Sequence, residues 1–105
     1  MASNQGNTYY NPDDINMPYS LEAEQAVLGS ILIDPACITQ VLILVKPDYF
    51  YLPQHRAIFT AMQEIDALGG KIDALIVLEK LKKHVLHDTL TDEIYINAIN
   101  EVINN

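Results

Sequence analysis

The sequence predicts an all-α fold: a compact bundle of about five helices over residues 18–105, preceded by a flexible tail over residues 1–17. Three observations lead there. Apolar residues recur at three-to-four spacing in successive windows, which is the signature of helices with one buried face. Residues that favour helix starts (Ser20, Asp34, Pro53, Asp73, Thr91) stand just ahead of those windows. Breakers close them, notably Lys46-Pro47 and Gly69-Gly70.

The first 17 residues are rich in Asn, Asp, Ser and Gly and show no periodic apolar face, so a loosely attached tail is expected. The first helix starts after Ser20. Leu21, Leu28 and Leu32, with Ala23, Val27 and Ile31 alongside, form its expected buried face. Glu22 and Glu24 fall in its first turn, where a negative charge interacts favourably with the helix dipole, by about 0.3 to 1 kcal/mol. Both are expected to face solvent, with neither an apolar pocket nor a charged partner to suit them for acid–base work. Gly29, inside the helix, is disfavoured by about 1 kcal/mol relative to alanine. It reads as a notch for close packing, extended by Ser30.

In "DPACITQVLILV", Asp34 is a strong N-cap and Pro35 suits the first helical position. The β-branched content would also fit a strand, but the cap and the length favour a helix burying Ile38, Val41, Leu42 and Val45. Tyr49-Phe50-Tyr51 is expected to cover one end of the core. Pro53 opens the third helix, with Ile58, Phe59, Met62 and Ile65 inward and Gly69-Gly70 as its stop. Asp73 caps a fourth through Leu75, Leu78, Leu81 and Val85. A fifth follows Thr91 and buries Tyr95, Ala98, Ile99 and Val102. The chain stops at "EVINN", close behind this apolar face, which suggests a cut at a domain boundary.

Composition narrows the function. The 105 residues suffice for one domain with a real core. No apolar run approaches the ~20 residues needed to span a bilayer, and a soluble protein without a signal peptide is expected. The net charge is −8, from 14 acids and 6 bases, with Lys80, Lys82 and Lys83 the only basic cluster. A nucleic-acid module ordinarily carries a basic patch, so direct DNA binding by this chain is not expected. The single cysteine, Cys37, cannot form an internal disulfide and reads as a buried structural thiol.

Catalytic and cofactor signals are weak. His84 and His87 lie three apart beside Asp88 without a third ligand, so a metal site is not expected. His55 reads as a packed or hydrogen-bonded polar residue, not a general base. "GGK" at residues 69–71 is followed by Ile72, not the Ser or Thr of a phosphate-binding loop. No catalytic, cofactor-binding or metal residue is assigned, and no partner-binding residue either. An acidic helical body of this kind suits docking or assembly.

The stretch "MPYSLEAEQAVLGSILIDP" resembles the start of the amino-terminal domain of DnaB-type bacterial replicative helicases, through Pro18, Ala23, Glu24, Ala26, Val27, Leu28, Gly29 and Ser30. The likeness continues at Phe50, His55, Ile58, Phe59 and Ala61, then at Gly69, Ile72-Asp73 and Leu81. Where that family often has Thr-Val after the Ile-Asp pair, this chain has Ala74-Leu75-Ile76-Val77, which leaves the helix expectation intact. The resemblance implies a collar domain of a cytoplasmic homohexameric helicase that binds the carboxy-terminal domain of primase. It also implies self-association, a possible contact with a helicase loader, and ATP and Mg confined to a motor domain absent here. A free-standing helical adaptor or loader-binding protein, and a small helical DNA-binding domain, are the alternatives.

Overall fold

A computed structural model describes residues 20–83 and 91–104. Among them the regular structure is helical: α1 (Leu21–Ile33), α2 (Ile38–Leu44), α3 (Pro53–Ala67), α4 (Ala74–Lys83) and α5 (Asp92–Asn104), with single 3-10 turns at Pro35–Cys37 and Pro47–Tyr49. The expectations for the tail, for Val85 and for His84, His87 and Asp88 lie outside the described residues. Among the described residues no single helix is long and apolar enough to cross a membrane.

The helix boundaries follow from local chemistry. Ser20 Oγ accepts from Ala23 N–H at 3.1 Å, Asp73 Oδ1 from Ile76 N–H at 2.9 Å, and Thr91 Oγ1 from Ile94 N–H at 3.4 Å. Each bond supplies an acceptor to a first-turn amide that has no partner within its helix. At the end of α3, Gly69 adopts φ +76°, a conformation that strains residues carrying a Cβ. Gly69 N–H donates to Asp66 O at 3.0 Å and Gly70 N–H to Ile65 O at 2.9 Å. This left-handed termination satisfies the last carbonyls and turns the chain toward α4.

α3 is the central element, packed against α1, α2, α4 and α5. Ile58, Phe59, Ala61, Met62 and Ile65 bury its inner faces, and Leu28, Ile31, Ile38, Ile72, Val77, Leu81 and the four expected residues of α5 close round them. Tyr95, Ala98, Ile99 and Val102 are all buried, as their spacing predicts.

Several expectations need correction. Asp34 does not cap a second helix; its side chain makes no cap bond, and its backbone N–H closes α1 by donating to Ser30 O at 2.9 Å. Pro35–Cys37 then forms a 3-10 turn, and the segment Pro35–Leu44 leaves α1 at a bend of 117°. α2 is consequently short and peripheral: Ile38 is buried, Val41, Leu42 and Val45 only half-buried. Cys37 is half-buried too, with its thiol 3.7 Å from Ser30 O. In α4 the expected face holds in part: Leu81 is buried and Leu78 half-buried, but Leu75 is exposed and Val77 is buried in its place, turned inward by the packing of α4 against α3. Leu21 and Ala23 are exposed at the start of α1, where Gln25 is buried instead. Of the three aromatic residues in the connection only Phe50 is buried; Tyr49 and Tyr51 point outward.

Gly29 faces α5, as a packing position should, but the approach is looser than a notch. A Cβ placed there would stand 3.4 Å from Val102 O and 3.7 Å from Val102 Cγ1, which is ordinary contact. Helix propensity therefore outweighs crowding. Gly29→Ala should stabilise the protein by up to about 1 kcal/mol, read as a higher urea midpoint at unchanged m. A lower midpoint would show that the two helices cannot yield even a few tenths of an ångström.

A buried carboxylate–histidine tie and the family it belongs to

α3 begins with Leu52 at its N-cap and Pro53 at its first position, and neither offers a side-chain acceptor. The acceptor comes from α1. Glu24 Oε2 accepts from Tyr51 N–H at 2.7 Å, and Glu24 Oε1 lies 3.4 Å from Leu52 N and 2.7 Å from His55 Nδ1. One carboxylate thus serves two helix starts, lying in the first turn of α1 and facing the amino end of α3, where the dipoles favour negative charge. The expectation that Glu24 faces solvent is overturned: its side chain is 12% exposed and that of His55 1%. Glu22, its neighbour, is exposed as expected.

The same connection is held from the other side. Arg56 donates to Phe50 O at 2.8 Å and Tyr51 O at 2.9 Å. The ring of Phe50 packs edge-on to His55, with centroids 6.4 Å apart, and lies 5.1 Å from the ring of Phe59. Residues 50–52 are therefore fixed by a carboxylate, a guanidinium and an aromatic anchor, and the tyrosines on either side of Phe50 are presented outward.

A carboxylate orienting an imidazole is an arrangement used in catalysis, where a reacting hydroxyl or thiol completes it. Here the imidazole is shut away from solvent, so a substrate could not reach it. Ser30 Oγ donates to Val27 O at 2.7 Å and belongs to α1's own backbone bonding. Among the described residues no group of three His, Cys, Asp or Glu side chains converges as a metal site would require. The tie holds α1 to α3. Reasoning from periodicity missed it because its members lie 31 positions apart on two helices. The available signal was that Glu24 and His55 both stand in the blocks that carry the family resemblance.

A second feature is a groove of about 510 Å³ between α1, the start of α4 and the end of α5. Ala26, Gly29, Ile33, Ala74, Val102 and Ile103 supply most of its apolar lining. A smaller hollow, about 170 Å³, lies beside Ala23, Val27, Val45 and Tyr49.

Comparison with known proteins places this architecture. The family model described as DnaB-like helicase N terminal domain matches residues 16–105. The chain is 37% identical over 84 residues to the replicative DNA helicase DnaB of Pasteurella multocida, covering 80% of this chain and 18% of that protein. It is 39% identical over 64 residues to the corresponding protein of Geobacillus stearothermophilus, covering 61% of this chain and 14% of that one. Its fold matches the crystal structure of the N-terminal domain of DnaB helicase from Mycobacterium tuberculosis with a TM-score of 0.71 at 29% identity, over 83% of this chain and 60% of that one. The chain spans less than a fifth of the length of these two curated relatives. On the family match and the shared fold together, the chain belongs to the DnaB-like helicase N-terminal domain family.

Proposed function

We propose that the chain serves as the collar domain of a hexameric replicative DNA helicase, taking part in ring assembly and receiving primase, with no chemistry of its own. The observation that supports this most is the pairing of a closed interior with an adhesive exterior. The buried polar cluster at Glu24 and His55 is spent on scaffolding, while Ile33, Ile43, Leu44, Tyr49 and Tyr51 are more than half exposed. Large apolar side chains left exposed on a small domain suit protein contacts. ATP hydrolysis and DNA translocation would then belong to a motor domain outside these residues, in a cytoplasmic protein. A helicase loader is a further candidate partner.

Titration calorimetry with the cognate primase carboxy-terminal domain tests the reading. The isolated chain should bind in the micromolar range or weaker, because it presents a single copy of its docking surface. The complete ring should bind about a hundredfold tighter, since a partner engaging two copies gains from effective concentration. Equal affinity for the chain and the ring would mean that multivalency does not make the complex, and no heat with either would remove primase as the partner.

A further inference from the structure

We propose that the groove between α1 and α5 is a docking site for a basic amphipathic helix of a partner protein. Two helices lying side by side leave a furrow into which a third can pack its ridge, and helix-in-groove recognition uses apolar anchors at three-to-four spacing. The furrow is open here because its floor is built from small residues, Ala26, Gly29, Ser30 and Ala74. Its mouth carries two large apolar side chains, Ile33 at 87% and Ile103 at 54% exposure.

Charge selects the occupant. No lining residue is basic, and Asp73 lines the groove itself. Asp34 follows Ile33, and Glu22 lies one turn before Ala26 on the same face of α1, both exposed. Of the six bases, Lys71 is exposed two positions before Asp73 but does not line the groove, Arg56 is bonded to the carbonyls of Phe50 and Tyr51, and Lys80 stands 3.4 Å from Glu64. A nucleic acid or an anionic lipid surface would be repelled by this rim. A second copy of the chain would set one acidic rim against another, at a net charge of −8 on each. A helix with apolar anchors and lysines or arginines along its flanks meets both demands. The inference stands apart from the primase reading, because its test uses neither primase nor the ring.

The probe is a Leu/Lys amphipathic peptide of about 18 residues, long enough for five turns, titrated into the labelled chain and followed by amide chemical shifts. The expected result is a set of shifts confined to Ala26, Gly29, Ser30, Ile33, Ala74, Val102 and Ile103. The affinity should fall several-fold between about 50 and about 300 mM salt as screening grows. Ile33→Glu and Ile103→Glu alter exposed side chains, so they should leave the circular dichroism spectrum unchanged while weakening binding about tenfold or more. Ile43→Glu, on α2, should leave binding unchanged. The proposal is overturned by equal binding of a Leu/Glu peptide, by shifts centred on Tyr49 and Leu44, or by no shifts. It is also overturned if shifts at the groove depend on protein concentration without peptide, which would mark a second copy as the occupant.

Discussion

Glu24→Ala should destabilise the protein by about 2 to 4 kcal/mol, a large part of the ~5 to 15 kcal/mol that holds a domain of this size together. The carboxylate accepts from Tyr51 N–H and His55 Nδ1–H and lies against Leu52 N–H. Truncation leaves all three without that acceptor. Tyr51 N–H lies toward solvent and can recruit water, but the groups of Leu52 and His55 are partly or fully buried, and a buried unpaired donor costs roughly 1 to 3 kcal/mol. A melting temperature lower by about 10 °C or more follows for a chain of this length. Glu22→Ala is the control. It removes a charge from the same first turn without breaking the tie, so it should cost no more than about 1 kcal/mol, the contribution of the dipole alone. Glu24→Gln should fall between, since it keeps one carbonyl acceptor and turns an amide N–H₂ toward a donor. In a double-mutant cycle with His55→Ala the two losses should fail to add by roughly 1 to 3 kcal/mol. A melt of Glu24→Ala that matches wild type would show that the tie holds nothing.

That tie marks the limit of what the sequence made legible. Helix existence was readable because caps, breakers and spacing agree with one another: Ser20, Asp73 and Thr91 all accept the expected amides, and α5 buries the four residues its pattern names. Helix phase was less readable. Leu75 and Val77 are both apolar, in a run of five apolar residues ahead of Glu79, and only the packing of α4 against α3 decides that Val77 goes inward. Around Asp34 two roles competed for one residue. The sequence favours an N-cap before Pro35, whereas its backbone is taken by the closure of α1. Glu24 illustrates the deeper limit. Its place in α1 explains an acid there on local grounds alone, so nothing in the local pattern asks for a partner, and the amino end of α3 reveals the need only by lacking a side-chain acceptor of its own.

The second large effect lies on the core side of the same connection. Phe59→Ala should cost about 3 to 5 kcal/mol, the usual loss for a truncated core phenylalanine. Phe59 is fully buried on α3, the helix that touches every other one, so the surroundings cannot collapse onto the void without shifting several contacts at once. The substitution also removes the ring 5.1 Å from Phe50, a pairing of the kind worth about 0.5 to 1.5 kcal/mol beyond its area. Phe50 is the anchor under residues 50–52, where the amides of Tyr51 and Leu52 meet Glu24 and the carbonyls of Phe50 and Tyr51 meet Arg56. Phe59→Ala and Glu24→Ala therefore loosen one segment from opposite sides. Their urea-melt losses should sum to more than the double variant shows, because the second change acts on a connection already freed. Phe59→Leu, which keeps most of the volume, should remain well folded at a cost near or below about 1.5 kcal/mol, and it carries the test if the alanine variant no longer folds. Strict additivity of Phe59→Leu with Glu24→Ala, together with unchanged hydrogen exchange at Tyr51 and Leu52 in both, would show that the tie and the aromatic anchor act independently.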